Sequence, residues 1–258
     1  MIGDQMRSIA HGLRLFGVHA NFEKRAAEAQ GQGLSHLEFL RLILEDEVLA
    51  RRDRIAKGLL TRAKFRSVAD LEDWDHSYDR GLTKAKLREL SALAFVQSNE
   101  NILIVGRTGE GKTHLAVALG RRLCADNIST LFVPVNFLFE EVLAAKAAGK
   151  YLQYIKRLSQ VRALILDDFG LRTYSHEEAN VLVDLLEDRH RKGSVVVTSQ
   201  ADPKGWSKLF EDELIAQAIV SRLEHPSQKL ILKGGNYREK LQSLPAGGKK
   251  LESEKMLN

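Results

Sequence analysis

The spacing of apolar residues changes character about a third of the way along the chain. Leu37, Leu40, Leu44 and Val48 recur at steps of three and four, with no strand-like run between them. That spacing places side chains on one side of a helix, and it predicts a small all-helical domain over residues 1–66. Ser35, followed three residues later by Glu38, forms the capping-box pattern expected where its second long helix starts. The next stretch, LEDWDHSYDRGL, breaks the period with acids, aromatics and Gly81, and residues 67–84 read as a linker that packs onto the next domain. From about Thr83, helical patterns alternate with the short apolar runs ILIV, TLFVPV, ALILDD, SVVVTSQ and KLILK. Such alternation predicts an α/β domain over residues 85–243, with a largely parallel sheet covered by helices on both faces. Residues 244–258, rich in Gly and Lys and without periodicity, are expected to form a disordered tail.

Composition narrows the classes. The 258 residues are 44% hydrophobic, enough for a full core. No run approaches the ~18 apolar residues of a membrane span, and the first residues do not read as a secretion signal. The expected compartment is the cytoplasm, in contact with the nucleoid, with no membrane partner. Cys124 is the only cysteine, so neither an intrachain disulfide nor a cysteine metal site is available. The net charge of +5 is unevenly spread: residues 1–66 and 229–258 each carry +4, leaving −3 in the middle. Basic ends around a neutral-to-acidic middle suit contact with a polyanion, and suit ordinary solvated charge equally well.

Candidate chemistry concentrates in NILIVGRTGEGKTHLAVALG. Gly106, Gly111, Lys112 and Thr113 fit G-x-x-x-x-G-K-[ST], with the strand before and the helix after that the motif requires. The glycines let backbone N–H groups curl around a phosphate, and the helix start adds its positive dipole end. The candidate nucleotide-binding segment is therefore Gly106, Arg107, Thr108, Gly109, Glu110, Gly111, Lys112, Thr113 and His114. Lys112 is expected on the β- and γ-phosphates and the Thr113 hydroxyl on Mg²⁺. A second metal-side group is needed, and the apolar run RALIL ends in Asp167 and Asp168. Asp167 is the candidate for Mg²⁺ and Asp168 for orienting the attacking water. SVVVTSQ ends in Gln200, placed either to orient water or as a plain turn residue. Arg222, among apolar residues at helical spacing, and Arg238, after a Gly-Gly-Asn turn, fit either an anion contact or a surface ion pair.

Taken in order, LRLFGVHANFEKRA, LEDWDHSYDRGL, GRTGEGKTHLAVALG, LILDDFG, EEANVLVDLLEDRH, VVVTSQ, AIVSRLEH and LKGGNYREK resemble the IstB-like transposition helper ATPases. These are relatives of the DnaC helicase loader and the DnaA initiator among the AAA+ ATPases. The resemblance implies a P-loop AAA+ three-layer sandwich with sheet order 5-1-4-3-2, the Gln200 strand lying between those of the phosphate loop and the acidic pair. It implies that Arg222 is the arginine finger reaching the γ-phosphate of a neighbouring subunit, that Arg238 is the sensor-2 arginine, and that Gln200 stands at sensor 1, where many relatives have Asn. Asp168 stands where many have Glu. It further implies a homo-oligomer that binds ATP and Mg²⁺, assembles on double-stranded DNA and delivers that DNA to a partner transposase.

Binding of that kind needs mainly phosphate contacts. The candidates are Arg51, Arg52, Arg54 and Lys57, continuing to Arg62, Lys64 and Arg66, and a second set of Lys146, Lys150, Lys156 and Arg157. The resulting expectation is a DNA-stimulated ATP hydrolase assisting transposition. A replicative helicase loader and a non-hydrolysing, ATP-gated DNA scaffold are its rivals.

Overall fold

In the computed structural model, residues 2–237 and 239 are described. The chain divides into two units between Gly58 and Leu59, eight residues before the end of the helical domain expected from the pattern. The division falls inside a helix, where no change of period marks it.

The first unit is built from α1 (Ile2–Gly12), α2 (Phe16–Gln32) and most of α3 (His36–Ala63). Ser35 and Glu38 make the reciprocal bonds of a capping box before α3. Ala10, Val18 and Ile43 form the small core, with Phe22 and Phe39 packed against it. The approach of α2 to α3 depends on Gly17, where a Cβ would lie 2.4 Å from the Asp46 carbonyl oxygen. At that crossing Glu47 accepts the N–H groups of Gly17 and Val18 at 2.7 and 3.4 Å, which lie in the first turn of α2 and have no partner within the helix. Arg25 clasps Asp46 through two bonds of 2.8 Å. The Leu37, Leu40, Leu44 and Val48 stripe is helical as expected, but all four residues are exposed.

In the second unit, α4 (Lys84–Ser91) and α5 (Ala94–Gln97) precede β1 (Asn101–Val105) and α6 (Lys112–Ala125). Then come β2 (Thr130–Pro134), α7 (Val135–Ala147), α8 (Tyr151–Gln160), β3 (Ala163–Phe169) and α9 (His176–Arg189). The unit continues with β4 (Ser194–Ser199), α10 (Glu213–Glu224) and β5 (Ser227–Ile231). The five strands are the five apolar runs of the sequence. All pair in parallel in the order β2-β3-β4-β1-β5, which is the expected 5-1-4-3-2 read from the other edge.

Strand residues alternate between two cores, as the two-residue period requires. Leu103, Leu164, Leu166, Val195 and Val197 face the layer of α7 to α10. Ile102, Ile104, Ala163, Ile165 and Val196 face α6 and the α4–α5 segment. The 67–84 stretch contributes Leu71, Trp74 and Leu82 to that second core, so it is part of the domain's packing. Cys124 is buried on α6. Among the described residues, no helix is long and apolar enough to cross a membrane. The expected tail, 244–258, lies outside the described residues.

Candidate nucleotide site

β1 and β4 end side by side, with Val105 paired to Ser199, and the loop between β1 and α6 turns back over that edge. Gly109 and Gly111 hold φ values of +85° and +93°, which favour glycine. At Gly109 space matters as well, because a Cβ there would meet the Asn236 side chain at 2.0 Å. Within the loop, the Arg107 N–H donates to Glu110 Oε2 at 2.5 Å. Lys112, the first residue of α6, donates from Nζ to the Arg107 carbonyl at 2.9 Å, so its ammonium already spans the loop mouth.

The Thr113 hydroxyl donates to Asp167 Oδ1 at 3.0 Å, joining the first turn of α6 to the end of β3. Asp167 is 5% exposed. Burial pushes its carboxyl above the ordinary range, and the neighbouring Asp168 adds to this. Bonds from Thr198 and Thr113, together with the charge of Lys112, pull it back down. Thr198 on β4 is fully buried; its hydroxyl donates to Asp167 Oδ1 at 2.6 Å and accepts the Asp168 N–H at 2.9 Å. Asp168 sits at φ +59°, sparsely populated for a residue with a side chain, where β3 slips its register between Leu166 and Phe169. Gln200 accepts the Thr108 hydroxyl at 2.9 Å.

These groups surround a cavity of about 830 Å³ that Thr108, Gly109, Gly111, Lys112, Thr113, His114, Asp168 and Gln200 line together. A buried carboxylate beside a hydroxyl, under a loop with left-handed glycines at 109 and 111, fits a phosphate and a hard cation. Burial, foremost, and the nearby Arg80 hold His114 below its ordinary value, which keeps it neutral at pH 7.

Sequence patterns did not reveal the far wall. Trp74, Asp75 and Arg80, from the expected linker, and Tyr237 also line the cavity. The Arg80 guanidinium lies 3.6 Å from the Trp74 ring centre and 4.3 Å from that of Tyr237, and the Tyr237 N–H donates to the Gly109 carbonyl at 3.0 Å. Clustered acids and aromatics in LEDWDHSYDRG were the available signal.

One expected group is elsewhere. Arg222 does not line the cavity: its carbonyl accepts from Asn101 Nδ2 at 2.9 Å, at the opposite end of β1 from the phosphate loop, and its guanidinium pairs with Glu187. Arg238 lies outside the described residues.

The basic candidates fall on both units. Arg51, Arg52, Arg54 and Lys57 follow one another along α3 in the first unit, where Arg51 pairs with Glu47 at 2.7 Å and Arg54 lies over the Phe16 ring. In the second unit, Lys146 lies in the last turn of α7, Lys150 precedes α8, and Lys156 and Arg157 lie within it. Lys64 and Arg157 approach the same carboxylate, Glu141, at 3.4 and 3.3 Å.

Residues 8–245 match the family described as IstB-like ATP binding protein. The chain belongs to that family. Among IstB-like relatives, an ATP-binding protein of insertion sequence IS21 from Pseudomonas aeruginosa is 34% identical over 228 residues, 88% of this chain and 86% of that one. An ATP-binding protein in an insertion sequence of Mycobacterium tuberculosis is 31% identical over 234 residues, 90% and 93% of the two chains. The IstB-like chain also shares its fold with solved structures. The DnaC helicase loader aligns with a TM-score of 0.54 at 20% identity, covering 64% of this chain and 97% of that one. AMPPCP-bound DnaA from Aquifex aeolicus aligns at 0.55 and 19%, covering 71% and 57%. The protein is an ATP-binding protein of AAA+ fold.

Proposed function

We propose that this protein is an ATP hydrolase that assembles on double-stranded DNA and delivers it to a transposase encoded with it. The convergence of Lys112, Thr113 and Asp167 at one end of the sheet carries the reading, because it unites a phosphate cradle with a carboxylate–hydroxyl pair for Mg²⁺. Thr113 and Asp167 would hold the ion, which when bound supplies charge neutralisation to the β- and γ-phosphates. Lys112 leaves the Arg107 carbonyl for the phosphate oxygens. Asp168, across the cavity, orients the water for in-line attack and accepts its proton as the bond to the γ-phosphorus forms and the bond to the β-phosphate oxygen breaks. Gln200 holds the same water by hydrogen bonding.

Arg222, far from its own phosphate loop, completes the site of a neighbouring copy, so turnover depends on assembly. Arg238 contacts nucleotide within its own subunit. Names of relatives from insertion sequences support the transposition setting. Lysines and arginines on α3 and on α7–α8 bind the duplex backbone, without strong sequence preference.

The test is Mg²⁺-ATP hydrolysis by wild type, Lys112→Ala and Arg222→Ala, with and without duplex DNA, alongside mass by light scattering. The expected result is a large assembly with ATP and DNA, whose turnover both substitutions abolish while Arg222→Ala still binds ATP. Assembly without turnover in the wild type would instead identify an ATP-gated scaffold.

A further inference from the structure

One buried charge in the wall of the nucleotide cavity has no part in the chemistry above. Arg80 is 3% exposed and lines the cavity beside Gly111 and His114. The rings of Trp74 and Tyr237 hold its guanidinium but supply no counter-charge. Its Nη2 donates to the Asp75 carbonyl oxygen at 3.3 Å, while the Asp75 carboxylate accepts instead from Ser77 and from the Tyr237 hydroxyl. Nε is buried with no acceptor among the described residues. A charge taken out of water in this way is costly until an opposite charge meets it.

Its position sharpens the deficit. Nη1 lies 2.9 Å from where a Cβ on Gly111 would be, and Gly111 immediately precedes α6. The start of a helix carries positive partial charge and repels a cation, and Lys112 brings a second ammonium to the same loop. Positive groups therefore converge on one cavity, and an anion is what they lack.

We propose, on the reading of this cavity as an ATP site, that Arg80 binds the α-phosphate of the nucleotide held by its own subunit. Lys112 and the ion at Thr113 account for the β- and γ-phosphates, so the α-phosphate is the anion left for a cation beside Gly111. With two rings against it, the guanidinium offers a ligand its N–H edge, which donates to phosphate oxygens and does not stack on a base. Trp74 and Tyr237 are then positioning residues, whose cation–π contacts hold the fork in place before nucleotide arrives. A contact to the α-phosphate serves ATP and ADP alike. Arg80 thus sets how tightly nucleotide is held, and not which of the two is bound.

Calorimetric titration of the full chain without DNA, using ATP, ADP, AMP and adenosine, tests this. Wild type should bind AMP more tightly than adenosine. Arg80→Leu should bind ATP, ADP and AMP each roughly ten- to a hundredfold more weakly, the range expected for hydrogen bonds to a charged group, with adenosine unchanged. Arg80→Lys keeps the charge without the fork and should fall between the two, so it carries the test if Arg80→Leu fails to fold. Lys112→Ala gives the contrast, weakening ATP and ADP but not AMP. Three results would overturn the proposal. Adenosine weakened as much as AMP would show that Arg80 merely supports the wall; adenosine tightened would show that it blocks the base; a wild type without preference for AMP would show no α-phosphate contact. None of these titrations involves turnover, so a protein that binds ATP and never hydrolyses it would sink the hydrolase reading and leave the role of Arg80 intact.

Discussion

The Thr198 hydroxyl donates to Asp167 and accepts the backbone N–H of Asp168, so one buried side chain on β4 orients both acids at the end of β3. Asp168 depends on this most, because its left-handed backbone costs on the order of 1–3 kcal/mol unless its surroundings hold it. Replacing Thr198 by Val keeps the shape and removes both bonds. We expect turnover to fall by at least tenfold with ATP affinity nearly unchanged, and Thr198→Ser to restore most of it. Steady-state kinetics beside nucleotide titration separates the two quantities; an equal loss of binding would show that Thr198 merely supports the fold.

The protein has two tryptophans, and their surroundings differ. Trp74 lines the cavity under Arg80, whereas Trp206 is fully buried and donates from its indole N–H to the Ala201 carbonyl at 3.1 Å. Nucleotide should therefore change the emission of Trp74 alone. Titration of Trp206→Phe with ATP is expected to keep the signal, and titration of Trp74→Phe to lose it.

Arg189 is almost wholly buried, and its guanidinium donates to the carbonyls of Leu158, Val161 and Ser194 at 2.7 to 3.0 Å. It ties the ends of α8 and α9 to the start of β4, and burial pushes its pKa down to about 10. Arg189→Leu would leave those acceptors unpaired, at a cost on the order of 3 kcal/mol. Denaturant unfolding should show the loss, with the remaining folded fraction still binding ATP.

Acid should act on stability in two steps of opposite sign. Arg25 holds Asp46, and Arg172 holds Glu178, below the ordinary carboxylate range. Each binds its proton less readily folded than unfolded, so their stabilisation is complete above a pH of about 4 and is lost as pH falls through the lower folded values. Asp167, raised chiefly by burial, costs stability while ionised, and that cost is relieved as pH falls through its raised value. His114, held below its ordinary value mainly by burial, works against that relief, because stability is lost as pH falls through the ordinary histidine range. Thermal unfolding without nucleotide should decline below a pH of about 4, and Asp167→Asn, compared with wild type, should lose the Asp167 relief and keep that decline.

Much of this was legible in the chain because strands and phosphate loops are local patterns. Five apolar runs became five strands, and the glycine spacing around Lys112 marked a loop that lines the cavity. The stripe on α3 read correctly as helical, but a period cannot say whether an apolar row is covered, and this one is exposed. Trp74, Arg80 and Tyr237 escaped because their meeting depends on how the segment before α4 and the segment after β5 fold back over the loop. Thr198 escaped for a related reason: in sequence it is one polar residue ending an apolar run, and only the pairing of β4 with β3 sets its hydroxyl between the Asp167 carboxylate and the Asp168 N–H.

The bond from Tyr237 to Gly109 gives the site a history as well as a shape. The phosphate loop lies near the middle of the chain, but its outer wall is supplied by one of the last described segments. During synthesis the ribosome must release the chain as far as Tyr237 before this side of the pocket can close. A chain arrested after β5 would carry the loop without its clasp.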